Sequence, residues 1–82
     1  MTEHQEKLCK TFAEISNNKS NIQISLDTKI HDLRLDSLDV LDLLMKINNE
    51  FGVDIPIEDF MLCEDVSSVD AEMIKIKNAG LG

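Results

Sequence analysis

Leu8, Phe12 and Ile15 recur at helical spacing, which predicts a first helix over residues 3–16. Thr2, with Gln5 three residues on, reads as a capping box that starts it. The polar run SNNKSN, residues 16–21, ends it. Residues 22–35 then mix Ile22, Ile24, Leu26, Ile30, Leu33 and Leu35 with polar positions. The alternation at 22, 24 and 26 has the period of a strand, but one short strand has nothing to pair with. The stretch therefore reads as a long ordered loop pinned by its apolar residues. Asp36 is a good N-cap with Asp39 at the third helical position, so a second helix runs from Ser37 to about Phe51, where Gly52 stops it. Pro56 opens a short third helix, about 57–63. Ser67 or Ser68 caps a fourth, about 69–78, with Val69, Met73 and Ile76 on one side, and Gly80 and Gly82 follow. The expected fold is all-α: a small four-helix bundle of three main helices and a short third one, with a long loop between the first two.

The second helix carries more apolar surface than a core needs. With Leu38 at zero and about 100° per residue, Leu43, Ile47, Val40, Phe51 and Leu44 span about 140–240°. Leu41, Met45 and Leu38 extend the arc to about 360°, so it is roughly 220° wide, against the stripe of about 100° that a surface helix buries. We divide it. Val40, Leu43, Leu44, Ile47 and Phe51 face the core, while Leu38, Leu41 and Met45 form a second strip beside Ser37, with Asp39 and Asp42 on its far side. A hydroxyl, an apolar strip and a row of acids on one helix have the makings of a docking surface.

Composition sharpens this reading. The chain has 82 residues and is expected to be a single domain, 1–82; chains of this size hide roughly 60–65% of their unfolded surface, which leaves little depth for an enzyme cleft. Net charge is −8, and all of it lies in residues 27–65, which hold eleven acids and three bases. The flanks hold five of each. Such a surface repels nucleic acid and anionic membranes and suits basic protein partners. The N-terminal MTEHQEKLCK has no apolar signal core and no run reaches the length of a membrane span. Cys9 and Cys63 form no CxxC or multi-cysteine framework. A reducing cytoplasm is the expected compartment.

Several chemistries are poorly supported. Ser37 as a hydrolytic nucleophile would need a base and an oxyanion hole, yet there is no GxSxG elbow and neither His4 nor His31 is tied to it in sequence. His4, Cys9, His31 and Cys63 lack zinc-site spacing, and Asp36, Asp39 and Asp42, three apart, do not make an EF-hand loop. The cysteines read as small buried hydrophobes. We expect no catalytic residue and no metal site. A modified Ser37 fits its place at an exposed helix start, although the reading as a plain cap-region serine stands beside it.

The stretch D-S-L-D, Asp36–Asp39, followed by F-G-V-D-I-P at Phe51–Pro56 and preceded by DTKIHDL at 27–33, resembles the acyl carrier protein family. The resemblance covers residues 27–56 well and the rest in layout. It implies that Ser37 carries 4′-phosphopantetheine, derived from coenzyme A and attached by a phosphopantetheinyl transferase that uses Mg²⁺. The thiol of that arm, not Cys9 or Cys63, would hold acyl groups as thioesters, with the acyl chain tucked among the core residues of the second helix. Asp36, Leu38, Asp39, Leu41, Asp42, Met45 and Ile55 would meet the transferase and acyl-loading or acyl-transferring enzymes with basic docking patches. The protein would be a monomeric carrier rather than an enzyme, serving fatty-acid, polyketide or related synthesis, with no nucleic acid and no membrane insertion. The sequence departs from the family at Arg34, where glycine is usual. It departs again at Asn48 and Asn49, where acids are common, and in a longer segment after Pro56. These point to a specialised member. The competing reading is an arm-free acidic interaction module that docks through the second helix.

Overall fold

The computed structural model describes residues 2–16 and 23–80. The loop breakers at 17–21, Ile22 and Gly82 lie outside the described residues. Four α-helices follow in chain order: α1 Glu3–Ser16, α2 Ser37–Phe51, α3 Ile57–Met61 and α4 Val66–Gly80, with a one-turn 3₁₀ helix at Ile30–Leu33.

The capping box forms reciprocally. Gln5 N–H donates to Thr2 Oγ1 and Thr2 N–H donates to Gln5 Oε1, both at 3.1 Å. The helix α2 has the predicted bounds. Asp36 Oδ1 accepts from Asp39 N–H at 2.9 Å, and Gly52 closes the other end at φ 62°, a left-handed conformation that a side chain would strain. The short α3 ends at Met61, two residues before its expected end.

The fourth helix departs most from expectation, starting at Val66 rather than near residue 69. Its cap is Asp65, not Ser67 or Ser68: Ser68 N–H donates to Asp65 Oδ1 at 2.9 Å. The next two free amides of that helix start are satisfied from the long loop, Val66 N–H by Thr28 O at 3.1 Å and Ser67 N–H by Leu26 O at 3.0 Å. Ile30 N–H reaches Glu64 O at 2.9 Å, so Lys29 and Asp65 form a single antiparallel bridge. The described part of the 22–35 segment is thus an ordered loop, as expected, held by hydrogen bonds as well as by Ile24, Leu26 and Ile30, which pack on the core.

The core joins Leu8 and Phe12 of α1, Leu33 of the loop, Leu43, Leu44 and Ile47 of α2, Phe60 of α3 and Val66, Val69 and Met73 of α4, all buried. Burying each such side chain is worth about 1.5–3 kcal/mol. Val40 and Phe51, also assigned to the core face, are half-buried against it. Polar ties join helix ends. Lys7 Nζ donates to Glu50 O at 3.2 Å and sits 5.1 Å from the Phe51 ring centre, and His4 pairs with Asp70 across α1 and α4 at 2.8 Å.

Candidate functional site

Ser37 is the first residue of α2 and is exposed. Among the described residues its hydroxyl has no hydrogen-bond partner, and none of them is a base poised to take its proton. Asp36 is exposed beside it, and its carboxylate is engaged with the Asp39 N–H. From there the strip unrolls along α2 as the wheel indicated. Leu38 is 73% exposed, Leu41 46% and Met45 68%, with Asp42 exposed among them. Leu43, Leu44 and Ile47 point the opposite way, into the core.

Ile55 is a correction. The family resemblance implies a place near the acyl and partner surface, but Ile55 is only 2% exposed and belongs to the core. Asn48 explains why. Its Oδ1 accepts from Ile55 N–H at 3.0 Å and its Nδ2 donates to Ile55 O at 3.4 Å, while its own carbonyl accepts from Val53 N–H at 3.1 Å. One asparagine side chain thus satisfies both backbone groups of residue 55 and folds the segment after Gly52 back onto α2. Asn48, read from sequence only as a missing acid, is a structural clamp.

A groove of about 1300 Å³ opens on the side of Asp36. Ile30, Leu35, Val40, Phe60, Met61 and Cys63 give it apolar walls, and Lys29, His31 and Arg34 are among its polar lining. The family resemblance implies acyl-chain space among the α2 core residues. Of those only Val40 lines the groove, because Leu43, Leu44 and Ile47 are already sealed by their neighbours. The groove walls come from the loop and α3, segments whose facing in space no period along the chain reveals. Met61 at 65% and Leu62 at 81% exposed add apolar surface at the end of α3.

Arg34 closes the 3₁₀ turn in the left-handed region, φ 54° and ψ 43°, with its N–H donating to His31 O at 3.2 Å. It is the one non-glycine residue with positive φ among those described, a conformation that costs an ordinary residue on the order of 1 kcal/mol.

The thiols are not primed for chemistry. Burial pushes the Cys9 thiol up, helped by the charges of Asp70 and Glu6. Burial likewise raises Cys63, with Glu72, Asp59 and Asp65 adding to it. Both stay protonated at neutral pH and are poor nucleophiles. Among the described residues no group of three or more His, Cys, Asp or Glu side chains is placed to hold a metal ion, and no helix is long and apolar enough to cross a membrane.

Ser37 thus stands exposed at the start of an acidic helix, next to Asp36 of an apolar-walled groove. The family model described as "Phosphopantetheine attachment site" matches residues 6–69. The chain belongs to the acyl carrier protein family, whose members bear covalent 4′-phosphopantetheine and act as carriers, not enzymes. Among its relatives, the acyl carrier protein of Rickettsia canadensis is 38% identical over 66 residues, 79% of this chain and 76% of that protein. The one from Rickettsia bellii is 35% identical over the same shares. The mitochondrial acyl carrier protein of Saccharomyces cerevisiae is 52% identical over 48 residues, which are 57% of this chain but only 38% of that longer protein.

Proposed function

We propose that Ser37 carries the arm and that the chain delivers acyl intermediates of fatty-acid, polyketide or related synthesis to partner enzymes. The exposure of Ser37 at the first residue of α2, with no hydrogen bond to its hydroxyl among the described residues, carries this reading. A separate phosphopantetheinyl transferase, using coenzyme A and Mg²⁺, can reach it unhindered. Ser37 Oγ would give up its proton and attack the pantetheine-side phosphorus of coenzyme A; the pyrophosphate P–O bond breaks, the adenosine bisphosphate half leaves, and Oγ becomes an ester oxygen of a phosphodiester. When bound, the arm supplies a thiol that holds the acyl group as a thioester. The residues of this chain do the rest. Asp36 fixes the helix start and presents negative charge beside Ser37. Leu38, Leu41 and Met45 offer an apolar contact, framed by Asp39 and Asp42, to enzymes with basic patches. The groove, with Ile30, Leu35 and Phe60 in its walls, provides apolar shelter for an acyl chain. Cys9 and Cys63 form no disulfide, which fits a reducing compartment, the cytoplasm in the reading from sequence.

Intact-protein mass after incubation with coenzyme A, Mg²⁺ and a broad-specificity phosphopantetheinyl transferase tests this. The native chain should gain one phosphopantetheine and Ser37→Ala none. No gain by the folded native chain with several transferases would favour the arm-free docking module.

A further inference from the structure

Residues 27–65 contain three strong bases among eleven acids, and two of the three are used internally. Lys29 Nζ lies 3.6 Å from Asp65 Oδ2 and Lys46 Nζ lies 3.6 Å from Glu14 Oε2. Arg34 is exposed and forms no ion pair among the described residues. It nevertheless occupies a left-handed position that glycine would fill with less strain. Its side chain is therefore not explained by the fold.

Its location suggests what it serves. Arg34 lines the groove together with Leu35, Asp36 and Val40. It stands three residues before Ser37, so the two Cα atoms are no more than about 11 Å apart in any conformation. Apart from Arg34, there is no lysine or arginine between Lys29 and Lys46. An anion attached at Ser37 would meet the carboxylates of Asp36 and Asp39 at the helix start; in the groove, whose lining also holds Asp32 and Glu64, the Arg34 guanidinium is the strong base with no ion pair among the described residues. Like charges push it off the helix, and the planar fork of arginine matches the oxygens of a phosphate diester.

We infer that Arg34 binds the phosphodiester joined to Ser37 and directs the arm into the groove rather than along the exposed strip of α2. This assignment rests on Ser37 being the attachment residue. Arg34 is a positioning residue. It touches the non-reacting end of the arm and sets where the distal thiol spends its time.

The test is nuclear Overhauser contact between the geminal methyls of the arm and the methyl groups of Leu35 and Val40, in holo protein whose loading has been verified by mass. Native holo protein should show these contacts, and the Arg34 side-chain N–H resonance should move between the apo and holo forms. Arg34→Gln keeps a side chain on the same backbone and removes the charge. It should lower the groove-docked fraction about fivefold, the scale of one exposed ion pair, while Arg34→Lys retains part of it. Salt should weaken the same contacts in the native holo protein, a reading that needs no variant. Unchanged contacts in a loaded Arg34→Gln protein, together with salt-insensitive contacts in the native one, would overturn the assignment and leave the carrier reading intact. Failure of the native chain to load at Ser37 would overturn both.

Discussion

Asp65 gathers three hydrogen bonds on one oxygen, from Ser67 Oγ at 2.9 Å, Ser68 N at 2.9 Å and Ser68 Oγ at 2.7 Å. The bonds from Ser68, then that from Ser67, hold its pKa down to about 2 from an ordinary 3.8, with a smaller contribution from Lys29. Because the folded pKa lies below the unfolded one, Asp65 contributes stability at pH values above 3.8 and loses it as pH falls towards about 2. Thermal unfolding of native protein and Asp65→Asn across that window should show the native advantage shrinking with acid. An advantage that stayed constant would mean that the hydrogen bonds do not favour the charged form. The same residue explains an error in the sequence reading. Ser67 and Ser68 are good caps by residue type, but both hydroxyls donate to Asp65, which takes the cap position ahead of them. Competition among adjacent caps is decided by geometry, which composition does not contain. Ile55 was misplaced for a related reason. Its burial depends on Asn48, seven residues earlier, and nothing in either residue alone marks the pair.

At the scale of elements, α1 and α2 were legible because each carries its own start signal and a clear 3.6-residue period. The division of the α2 arc into two faces was legible too. It makes a paired prediction. Leu43→Ala, in the sealed face, should cost about 2–5 kcal/mol in denaturant unfolding. Leu41→Ala and Met45→Ala, on the exposed face, should leave stability within about 0.5 kcal/mol and weaken binding to an acyl-transferring enzyme. If Leu41→Ala and Met45→Ala bound such an enzyme as the native chain does, the strip would not be its dock. The groove was not legible. It is assembled from the loop, the start of α2 and α3, and its residues share no period, so only packing brings Ile30, Val40 and Phe60 to one place.

Across the whole molecule, charge and contact follow different divisions of the chain. The acidic excess belongs to residues 27–65, whereas the ties of Lys7 to Glu50 and of Glu14 to Lys46 bring the N-terminal flank against it, and that of His4 to Asp70 joins the two neutral flanks. The flanks brace the acidic middle, whose surface the proposed partners would meet. The loop adds a second long-range dependence. The first amides of α4 donate to Leu26 and Thr28, about forty residues earlier, and Ile30 N–H returns the connection to Glu64. Two segments far apart in sequence therefore protect each other's backbone from solvent, and neither can open without exposing the other. In deuterium exchange the amides of Ile30, Val66 and Ser67 should share one opening free energy, distinct from that of the middle of α2. Separate exchange rates would show that the two segments breathe independently. A shared rate would mean that one wall of the groove loosens only when the far helix frays at its root, so the time an acyl chain stays sheltered would be set partly by a helix end that never touches it.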